Sequence, residues 1–280
     1  MNKVLGFALV LSMFGAGAAS AQNLVKNGDF ENVSNANGVS QPAYDNYVIK
    51  SSSTPWGFAL DNWTNNSFVG IVYGEGVGDS ASHAPLLDPL SGRQSNCHSP
   101  EGERNCSWNL RGSNDGTPTG QGRIVPPSSP AGGNYYGSDP AYAGALTQSV
   151  EGFVVGQQYQ LSFWSAGGTM QMGGSGQPAV TSWRVNLRGT TLDVDQLVTT
   201  EQYSNLGGTS PWVQTFITFT ASSATELLSF QATGAFGSPP MSLLDGVSIV
   251  AVPEPAQWAT LGGGLFLLAG LRLRRREQRR

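Results

Sequence analysis

The sequence predicts an all-β protein, an antiparallel β-sandwich followed by a single hydrophobic helix at the C-terminus. Between residues 22 and 255, segments of strand length alternate apolar and polar residues, which is the period of a sheet with one buried face. Glycine, serine, threonine and asparagine are abundant there and strong helix formers are scarce, so strands and loops are favoured. No pattern for a helix of three turns occurs in that stretch.

The first half of the chain predicts few strands. A short alternating strand with a turn opens it over residues 24–31, and two further strands follow over residues 58–63 and 68–73. Residues 74–132 are rich in glycine, proline, serine and asparagine. This stretch is too long for an ordinary connection, so we expect an insertion, a functional loop or partial disorder.

The second half carries clearer strand patterns. With turn signals between them, at least eight short strands along the chain indicate a sandwich of the jelly-roll kind. The predicted strands of this half are residues 145–152, 158–166, 183–187, 190–194, 212–220, 227–232 and 243–250. Alternation within residues 158–166 places Tyr159, Leu161 and Phe163 on one face and Gln160, Ser162 and Trp164 on the other.

A secretory signal peptide is predicted over residues 1–21. Lys3 precedes an apolar run over residues 4–18, and residues 19–21 have the small-residue pattern of a cleavage site. Such a segment is removed on export and contributes nothing to the mature fold, so we predict a sandwich domain over residues 22–252.

The C-terminus has three parts in order. Pro253, Glu254 and Pro255 precede an apolar run over residues 258–271, and the chain ends in a cluster of arginines. This order resembles the PEP-CTERM sorting signal of Gram-negative bacteria. The resemblance implies a transmembrane helix over about 257–273, a basic tail over 272–280, processing by the membrane protease exosortase, and delivery to the cell surface or extracellular matrix.

Physical chemistry is consistent with that resemblance. Fourteen uninterrupted apolar residues are short for a membrane crossing, which needs about 20. Arg272 and Arg274 extend the usable length by placing their charged ends at the interface. Positive flanks stay cytoplasmic, so the rest of the chain would lie outside the inner membrane. A plain C-terminal membrane anchor is the alternative interpretation.

Charge excludes one class of partner. Residues 22–255 contain 18 acidic and 8 basic side chains, a net charge of −10. So acidic a domain is unsuited to binding nucleic acid or anionic lipid, because both partners would repel it.

Two cysteines, Cys97 and Cys106, lie in the polar stretch. In an oxidising compartment an isolated pair of this kind favours a disulfide. A metal site would need His83 and His98 as further ligands, and no usual metal-ligand spacing is present.

Five segments of the domain resemble a known kind of fold. Residues 27–31, 133–136, 146–150, 156–163 and 244–249 resemble, in that order, galactose-binding-like jelly rolls. The domain is therefore similar to the carbohydrate-binding-module-like domains of bacterial PEP-CTERM proteins and plant cell-wall proteins. The resemblance covers most of the domain except the insertion, and it implies polysaccharide as a partner.

Calcium is the predicted cofactor, if the protein has one. Asp29, Glu31 and Asp245 come from the two chain ends, which are neighbouring strands in jelly rolls of this type. Carboxylates and carbonyls there would suit a cation that prefers oxygen ligands. The alternative is that Asp29 and Asp245 only complete turns beside glycine.

Loop aromatics are the other predicted binding residues, because apolar sugar faces stack on their rings. Trp56, Trp63, Trp108 and Tyr135 lie in or beside loops, as do Tyr136 and Tyr142, although packing is the alternative role for each. Trp164, Trp183 and Trp212 fall within strand patterns and are predicted as core residues.

No catalytic motif is recognisable. Asp193 and Asp195 share a strand face and resemble a glycosidase pair, but two solvated acids are the commoner arrangement. We therefore predict an exported, non-catalytic surface or matrix protein that binds polysaccharide. A purely structural matrix component and a glycan-acting enzyme are the alternatives.

Overall fold

The structure, a computed structural model, describes part of the chain. The chain divides into two compact units: Asn23–Ala251 is one, and Met1–Gln22 together with Val252–Arg280 is the other. The predicted signal peptide and C-terminal helix lie outside the described residues. The residues that the structure describes are 22–35, 37–40, 46–52, 55, 57–68, 70–74, 97–98, 110–111, 128–142, 144–170, 178–188, 194–204, 209–234 and 240–253.

The unit Asn23–Ala251 is an antiparallel β-sandwich. Its described residues contain strands and no helix, and β2 with β6 is the one parallel strand pair among them. No helix that could span a membrane occurs in the described part of the chain. The strands are β1 (Val33–Ser34), β2 (Asn46–Val48), β3 (Ala59–Leu60), β4 (Thr64–Asn65), β5 (Gly70–Tyr73), β6 (Cys97–His98), β7 (Leu110–Arg111), β8 (Tyr135–Ser138), β9 (Ala145–Glu151), β10 (Gln158–Met170), β11 (Pro178–Ala179), β12 (Thr181–Arg188), β13 (Val194–Thr199), β14 (Tyr203–Ser204), β15 (Val213–Thr220), β16 (Thr225–Gly234) and β17 (Pro240–Ala251).

Two sheets form the layers. The larger sheet has the order β15-β10-β17-β8-β5-β2-β6, with β7 paired to one end of β10. The smaller sheet has the order β13-β12-β16-β9-β4, and two short pairs, β1 with β3 and β11 with β14, lie apart from both. In the smaller sheet β12 pairs with β13 in antiparallel register, and β13 is Val194–Thr199, whereas the sequence predicted a strand over residues 190–194.

The main core lies between the two sheets. Phe163 of β10 packs edge-on against Phe230 of β16, with ring centroids 5.2 Å apart. Trp183 of β12 is fully buried, and its Nε1 donates a hydrogen bond to the carbonyl oxygen of Leu243 at 2.9 Å. Removing a large apolar side chain of this kind from water stabilises the fold by about 1.5–3 kcal/mol. The alternating strands therefore fold with their apolar faces inward.

The first predicted strand is wrong. Residues 24–30 contain no strand, because Asn27 and Phe30 adopt left-handed backbone conformations with φ of 51° and 55°. This segment still lies alongside the last strand, β17. Leu24 N–H donates to the carbonyl oxygen of Ile249, and Val247 N–H donates to the carbonyl oxygen of Gly28, both at 2.9 Å. The two ends of the domain are therefore held side by side.

The predicted insertion contributes to the larger sheet. Within residues 74–132, the backbone at 97–98 forms β6 and the backbone at 110–111 forms β7. Leu110 is buried against the sheet, and its side chain lies 3.2 Å from the position that a Cβ on Gly168 would take. Through Leu110, the insertion therefore covers part of the sheet.

Candidate functional site

Three neighbouring strands of the larger sheet, β15, β10 and β17, present an open outer face. Ser162 of β10 pairs with Phe216 of β15 and with Ser248 of β17. One step along, Trp164 pairs with Gln214 and with Asp245, after a register shift in the β10–β17 ladder. We call this surface the open half; it consists of Gln160, Ser162, Trp164, Gln214, Phe216, Thr218, Ser248 and Val250.

The open half combines aromatic rings with uncharged polar groups. Phe216 is 55% exposed, Trp164 is half-buried, and the remaining members are half-buried or exposed. Flat rings beside amides and hydroxyls are suited to a sugar, whose ring has an apolar face and a polar rim. Trp164 was predicted as a core residue, and the structure corrects this. The alternation that groups Trp164 with Gln160 and Ser162 was the signal for its outward position.

The rest of the outer face, which we call the covered half, is apolar and buried. Tyr135 stacks on Tyr73 with ring centroids 5.5 Å apart and meets Trp212 edge-on at 5.4 Å. Burial, followed by the charge of Asp245, raises the pKa of Tyr135, so its hydroxyl stays neutral. The covered half consists of Ile71, Tyr73, Leu110, Tyr135, Ala166, Met241 and Leu243, with Trp212 packed against it.

Three of the six predicted sugar-binding aromatics, Trp63, Tyr135 and Tyr136, are buried, and Tyr142 is 41% exposed. Tyr135 is only 3% exposed, so it offers no ring face to a sugar, and this prediction is wrong. Trp63 is 7% exposed, packs on Phe30 at 5.6 Å, and donates from Nε1 to the oxygen of Asn27 at 2.9 Å. Trp63 is therefore a core residue. Trp56 and Trp108 lie outside the described residues.

A cavity of about 370 Å³ lies beside Trp63, between Ile49, Lys50 and Asn65. Two of the polar side chains on its wall, Asn65 and Trp63, are engaged in hydrogen bonds. Asn65 Nδ2 donates to the oxygen of Ile49 at 3.2 Å, and Asn65 Oδ1 accepts from the Tyr136 hydroxyl at 3.0 Å. The indole N–H of Trp63 is also bound to backbone. This cavity offers a ligand mainly apolar contacts.

Asp245, at the border between the open and covered halves, is a fully buried carboxyl group. Its Oδ1 accepts a hydrogen bond from Gly246 N–H at 2.6 Å. Oδ2 is buried and makes no hydrogen bond of good geometry among the described residues, although the Ser129 side chain lies close enough to lower the pKa of the carboxyl group as a hydrogen-bond donor. Burial raises the pKa of Asp245 to about 8, against the opposing effects of Ser129 and of Gly246 N–H. The charges of Glu31 and Asp29 raise this pKa further. The three predicted calcium ligands therefore interact electrostatically.

A second buried oxygen lies beside these acids. Asn134 N–H donates to Glu31 Oε1 at 2.5 Å, and Asn134 Nδ2 donates to the oxygen of Phe30 at 3.3 Å. Asn134 Oδ1 is buried without a hydrogen-bond partner in the described structure. Gly133 permits this approach, because a Cβ there would collide with the Glu31 carboxylate.

These residues fit a calcium ion in part. Two buried oxygens that lack donors, with two further carboxylates nearby, form an environment that a hard cation would neutralise. No group of three His, Cys, Asp or Glu side chains in the described part of the chain lies close enough to hold a metal. Asp29, Glu31 and Asp245 are therefore not a sufficient set, and the Asn134 oxygen, which sequence reasoning missed, is a further buried oxygen beside Glu31.

Other predicted residues are separate from this region. Asp195 forms a two-pronged ion pair with Arg184, at 2.8 and 3.2 Å, and both side chains are about half exposed. Asp195 is thus a solvated surface acid. Cys106, Asp193 and His83 lie outside the described residues, as do Glu254 and Pro255, whereas Pro253 is described and exposed. The disulfide from Cys97 stays a prediction.

Comparison with known proteins finds likeness only among structures. No family model matches the chain, and no curated protein matches it. The chain is similar to TmCBM61 in complex with β-1,4-galactotriose, at 12% identity and a TM-score of 0.33, over 45% of this chain and 75% of that one. It is similar to the CBM22-1 xylan-binding domain of Paenibacillus barcinonensis Xyn10C, at 15% identity and a TM-score of 0.28, over 46% and 80%. It is similar to the N-terminal cellulose-binding domain of Cellulomonas fimi β-1,4-glucanase C, at 15% identity and a TM-score of 0.24, over 43% of this chain and 80% of that one.

Proposed function

We propose that the chain is an exported, non-catalytic protein that binds polysaccharide on the open half of the larger sheet. One observation carries this proposal: Trp164 and Phe216 lie on a continuous three-strand surface whose other members are mainly uncharged polar residues. An exposed apolar patch with polar residues around it is typical of an interaction site.

The chemistry of the surface suits a neutral sugar chain. Apolar sugar faces would stack on the two rings, and Gln160, Gln214 and Ser248 would hydrogen-bond the hydroxyls. Because the surface is open and shallow, we expect dissociation constants from micromolar to millimolar, equivalent to about 4–8 kcal/mol. The acidic domain, with 18 acidic and 8 basic side chains over residues 22–255, would repel polyuronates.

Affinity electrophoresis of the purified protein tests the proposal. The gels would contain β-1,4-galactan, xylan, soluble cellulose derivatives or a polyuronate. We expect retardation by at least one neutral polymer, and Trp164→Ala and Phe216→Ala should each weaken it about tenfold. Leu197→Ala is the matched control, because Leu197 is 60% exposed on the smaller sheet.

Three results would contradict the proposal. Equal weakening by Leu197→Ala would mean that the effect is not specific to the open half. Release of reducing sugar would place the protein among the enzymes. No retention on any polymer would leave the structural matrix role.

We also propose that a calcium ion binds beside Asp245. Asp245 Oδ2 and Asn134 Oδ1 would be its ligands, and Asp29 and Glu31 would supply further negative charge. The ion would stabilise the domain by mass action, so the melting temperature should rise with added calcium and fall with a chelator. An unchanged melting temperature would rule the ion out.

Delivery to the cell surface is a proposal from the sequence. Pro253, Glu254 and Pro255 would direct exosortase to the tail, and the helix over about 257–273 would hold the protein in the inner membrane during transit. The intact mass of protein recovered from the cell surface tests this. A mass that still includes residues 272–280 would show that the tail is not removed.

A further inference from the structure

β15 is an edge strand of the larger sheet and has eight residues. It pairs with β10 in a register without a shift, from Thr220 opposite Gln158 to Val213 opposite Ser165. Within the described part of the chain, no strand pairs with the other side of β15. An edge of this kind presents unpaired backbone N–H and C=O groups to any chain that approaches it as a strand.

The other edges of the two sheets are protected, whereas β15 is not. Among the described strands, the edge strands β6 and β4 have only two residues each, and β13 carries Asp195, which forms an ion pair with Arg184. Short strands and charged side chains are common means of keeping a sheet edge from pairing. β15 contains no proline and no charged residue, and two of its apolar side chains are exposed, Val213 at 44% and Phe216 at 55%.

Hydrogen bonds at one end of β15 show which of its backbone groups point outward. Ala221 N–H donates to the carbonyl oxygen of Gln157 at 3.0 Å, and the Ala221 carbonyl oxygen accepts from Gly156 N–H at 2.8 Å. Both backbone groups of Ala221 therefore point toward the chain that leads into β10. Every second residue of an antiparallel strand points these groups to the same side. The residues of β15 whose N–H and C=O groups point outward are therefore Gln214, Phe216, Thr218 and Thr220.

The charge distribution favours a second copy of this chain as the partner at this edge. Residues 202–225, which include β15, and residues 152–183, which include β10, contain no charged side chain. Residues 22–255 carry a net charge of −10, so two copies of the domain repel each other elsewhere. At this uncharged edge two copies can approach with little repulsion, whereas a charged partner would have no opposite charge to pair with on either strand.

We propose that two copies of this chain pair through β15 in antiparallel register and form a dimer with one continuous sheet. A two-fold axis at Ile217 places Phe216 opposite Thr218 of the second copy and Gln214 opposite Thr220, so all the outward backbone groups are paired. The two Phe216 rings become diagonal neighbours, at a spacing of about 7–8 Å that aromatic side chains can bridge. Because cross-strand partners share a face, both open halves lie on the same side of the joined sheet.

Analytical ultracentrifugation of the purified protein over a concentration series measures the dimer. Pairing of two strand edges buries less surface than a standard interface, so the dimer should dissociate on dilution. Thr218→Glu should raise the dissociation constant by about tenfold or more, because it places a like charge on each copy beside the axis. Leu197→Glu is the matched control, because Leu197 is 60% exposed on β13, the edge strand of the smaller sheet.

A proline variant tests the backbone pairing itself. Thr218→Pro should weaken the dimer as strongly as Thr218→Glu, because it removes an outward N–H that the ladder with β10 does not use. If the proline variant does not fold, Thr218→Glu decides, since it keeps every backbone N–H.

Two further readouts identify the contact. Amide hydrogen exchange followed by NMR should show Phe216 and Thr218 N–H protected in the dimer and exchanging after dilution. Raising the salt concentration from about 0.1 M to about 1 M should tighten the dimer, because salt screens the repulsion between two acidic copies.

Each outcome bears on the inference. A monomer at every concentration overturns it, as does a dimer that Thr218→Glu weakens no more than Leu197→Glu does. Protection of the Phe216 and Thr218 amides in a monomer would show that another segment of the same chain covers the edge, which also overturns it. A dimer that is lost in the Thr218 variants and kept in Leu197→Glu supports it. Failure of glycan binding would leave this inference unchanged, because the dimer does not depend on a glycan.

Discussion

The open half and the covered half belong to the same face of one sheet, yet they differ in nearly every property. On β10, Gln160, Ser162 and Trp164 face solvent, whereas Ala166 two positions further is fully buried. Tyr135 in the covered half packs between Tyr73 and Trp212. The difference shows that an outer sheet face is not uniform: what lies over it decides whether an aromatic ring there stabilises the fold or remains available to a ligand.

Truncating one aromatic residue in each half gives the largest contrast. Tyr135→Ala should lower the free energy of unfolding by about 3–5 kcal/mol, because it leaves a cavity between two rings. Phe216→Ala should change it by less than about 0.5 kcal/mol, since that ring is 55% exposed. Urea denaturation of both variants measures the difference. Comparable losses would mean that the open half is covered as well.

The border between the halves should show in the pH dependence of stability. The pKa of Asp245 is raised by burial from its ordinary 3.8 to about 8, so the folded protein holds a proton that the unfolded chain has lost. Without calcium, the free energy of unfolding should therefore fall between about pH 4 and pH 8 and level off above that range. At about 1.36 kcal/mol per pKa unit, a shift of about four units sets an upper limit of roughly 5–6 kcal/mol on the loss from this group.

Denaturation curves across that pH range, recorded in chelator, measure this loss. Asp245→Asn should remove this part of the pH dependence, because an amide cannot ionise. Saturating Ca²⁺ should reduce it in the wild-type protein by replacing the proton. If the free energy of unfolding changes between pH 4 and pH 8 by the same amount in the wild-type protein and in Asp245→Asn, the raised pKa of Asp245 is contradicted.

A glycine in the covered half provides a smaller test. A Cβ on Gly137 would lie 2.6 Å from Tyr73 Cε2 and 3.1 Å from Leu243 Cδ2, so Gly137→Ala should overpack this half. We expect a cost of about 1–2 kcal/mol, since the Tyr73 ring has to shift. Ser162→Ala in the open half is the control and should be nearly neutral. Thermal unfolding of the pair is sufficient, and a neutral Gly137→Ala would show that the covered half packs loosely.

Strands of the second half could be predicted closely from the sequence. β9, β12, β15, β16 and β17 all fall on segments with clear period-2 alternation, because inward positions of a sandwich need apolar side chains. β8 was missed as a strand, since its four residues contain a glycine and two adjacent tyrosines that face opposite sides. The segment at 24–30 alternates but is irregular, because Asn27 and Phe30 have positive φ.

The candidate site was predictable only in part. Asp29, Glu31 and Asp245 were inferred from a fold resemblance, and the structure shows their electrostatic interaction while adding Asn134. Whether each aromatic side chain is exposed could not be predicted from its position in or beside a loop of the sequence. Trp63 follows a turn in sequence, yet it is buried because Phe30 and Phe230 come from distant segments to cover it.

By itself, the sequence determined that the domain is built from strands and which residues of the clearly alternating strands face inward, because side-chain alternation and the scarcity of helix formers are local properties. It also determined the net charge and hence the class of partner that the domain repels. Only the tertiary structure decided which outward residues stay exposed. Leu110, Tyr135 and Trp212 meet over one half of a sheet from three distant parts of the chain, and the charge of Glu31 raises the pKa of Asp245, which lies near the other end of the domain's sequence. Long-range packing of this kind depends on chain segments that no local pattern relates, so it follows from the fold and not from the neighbouring residues.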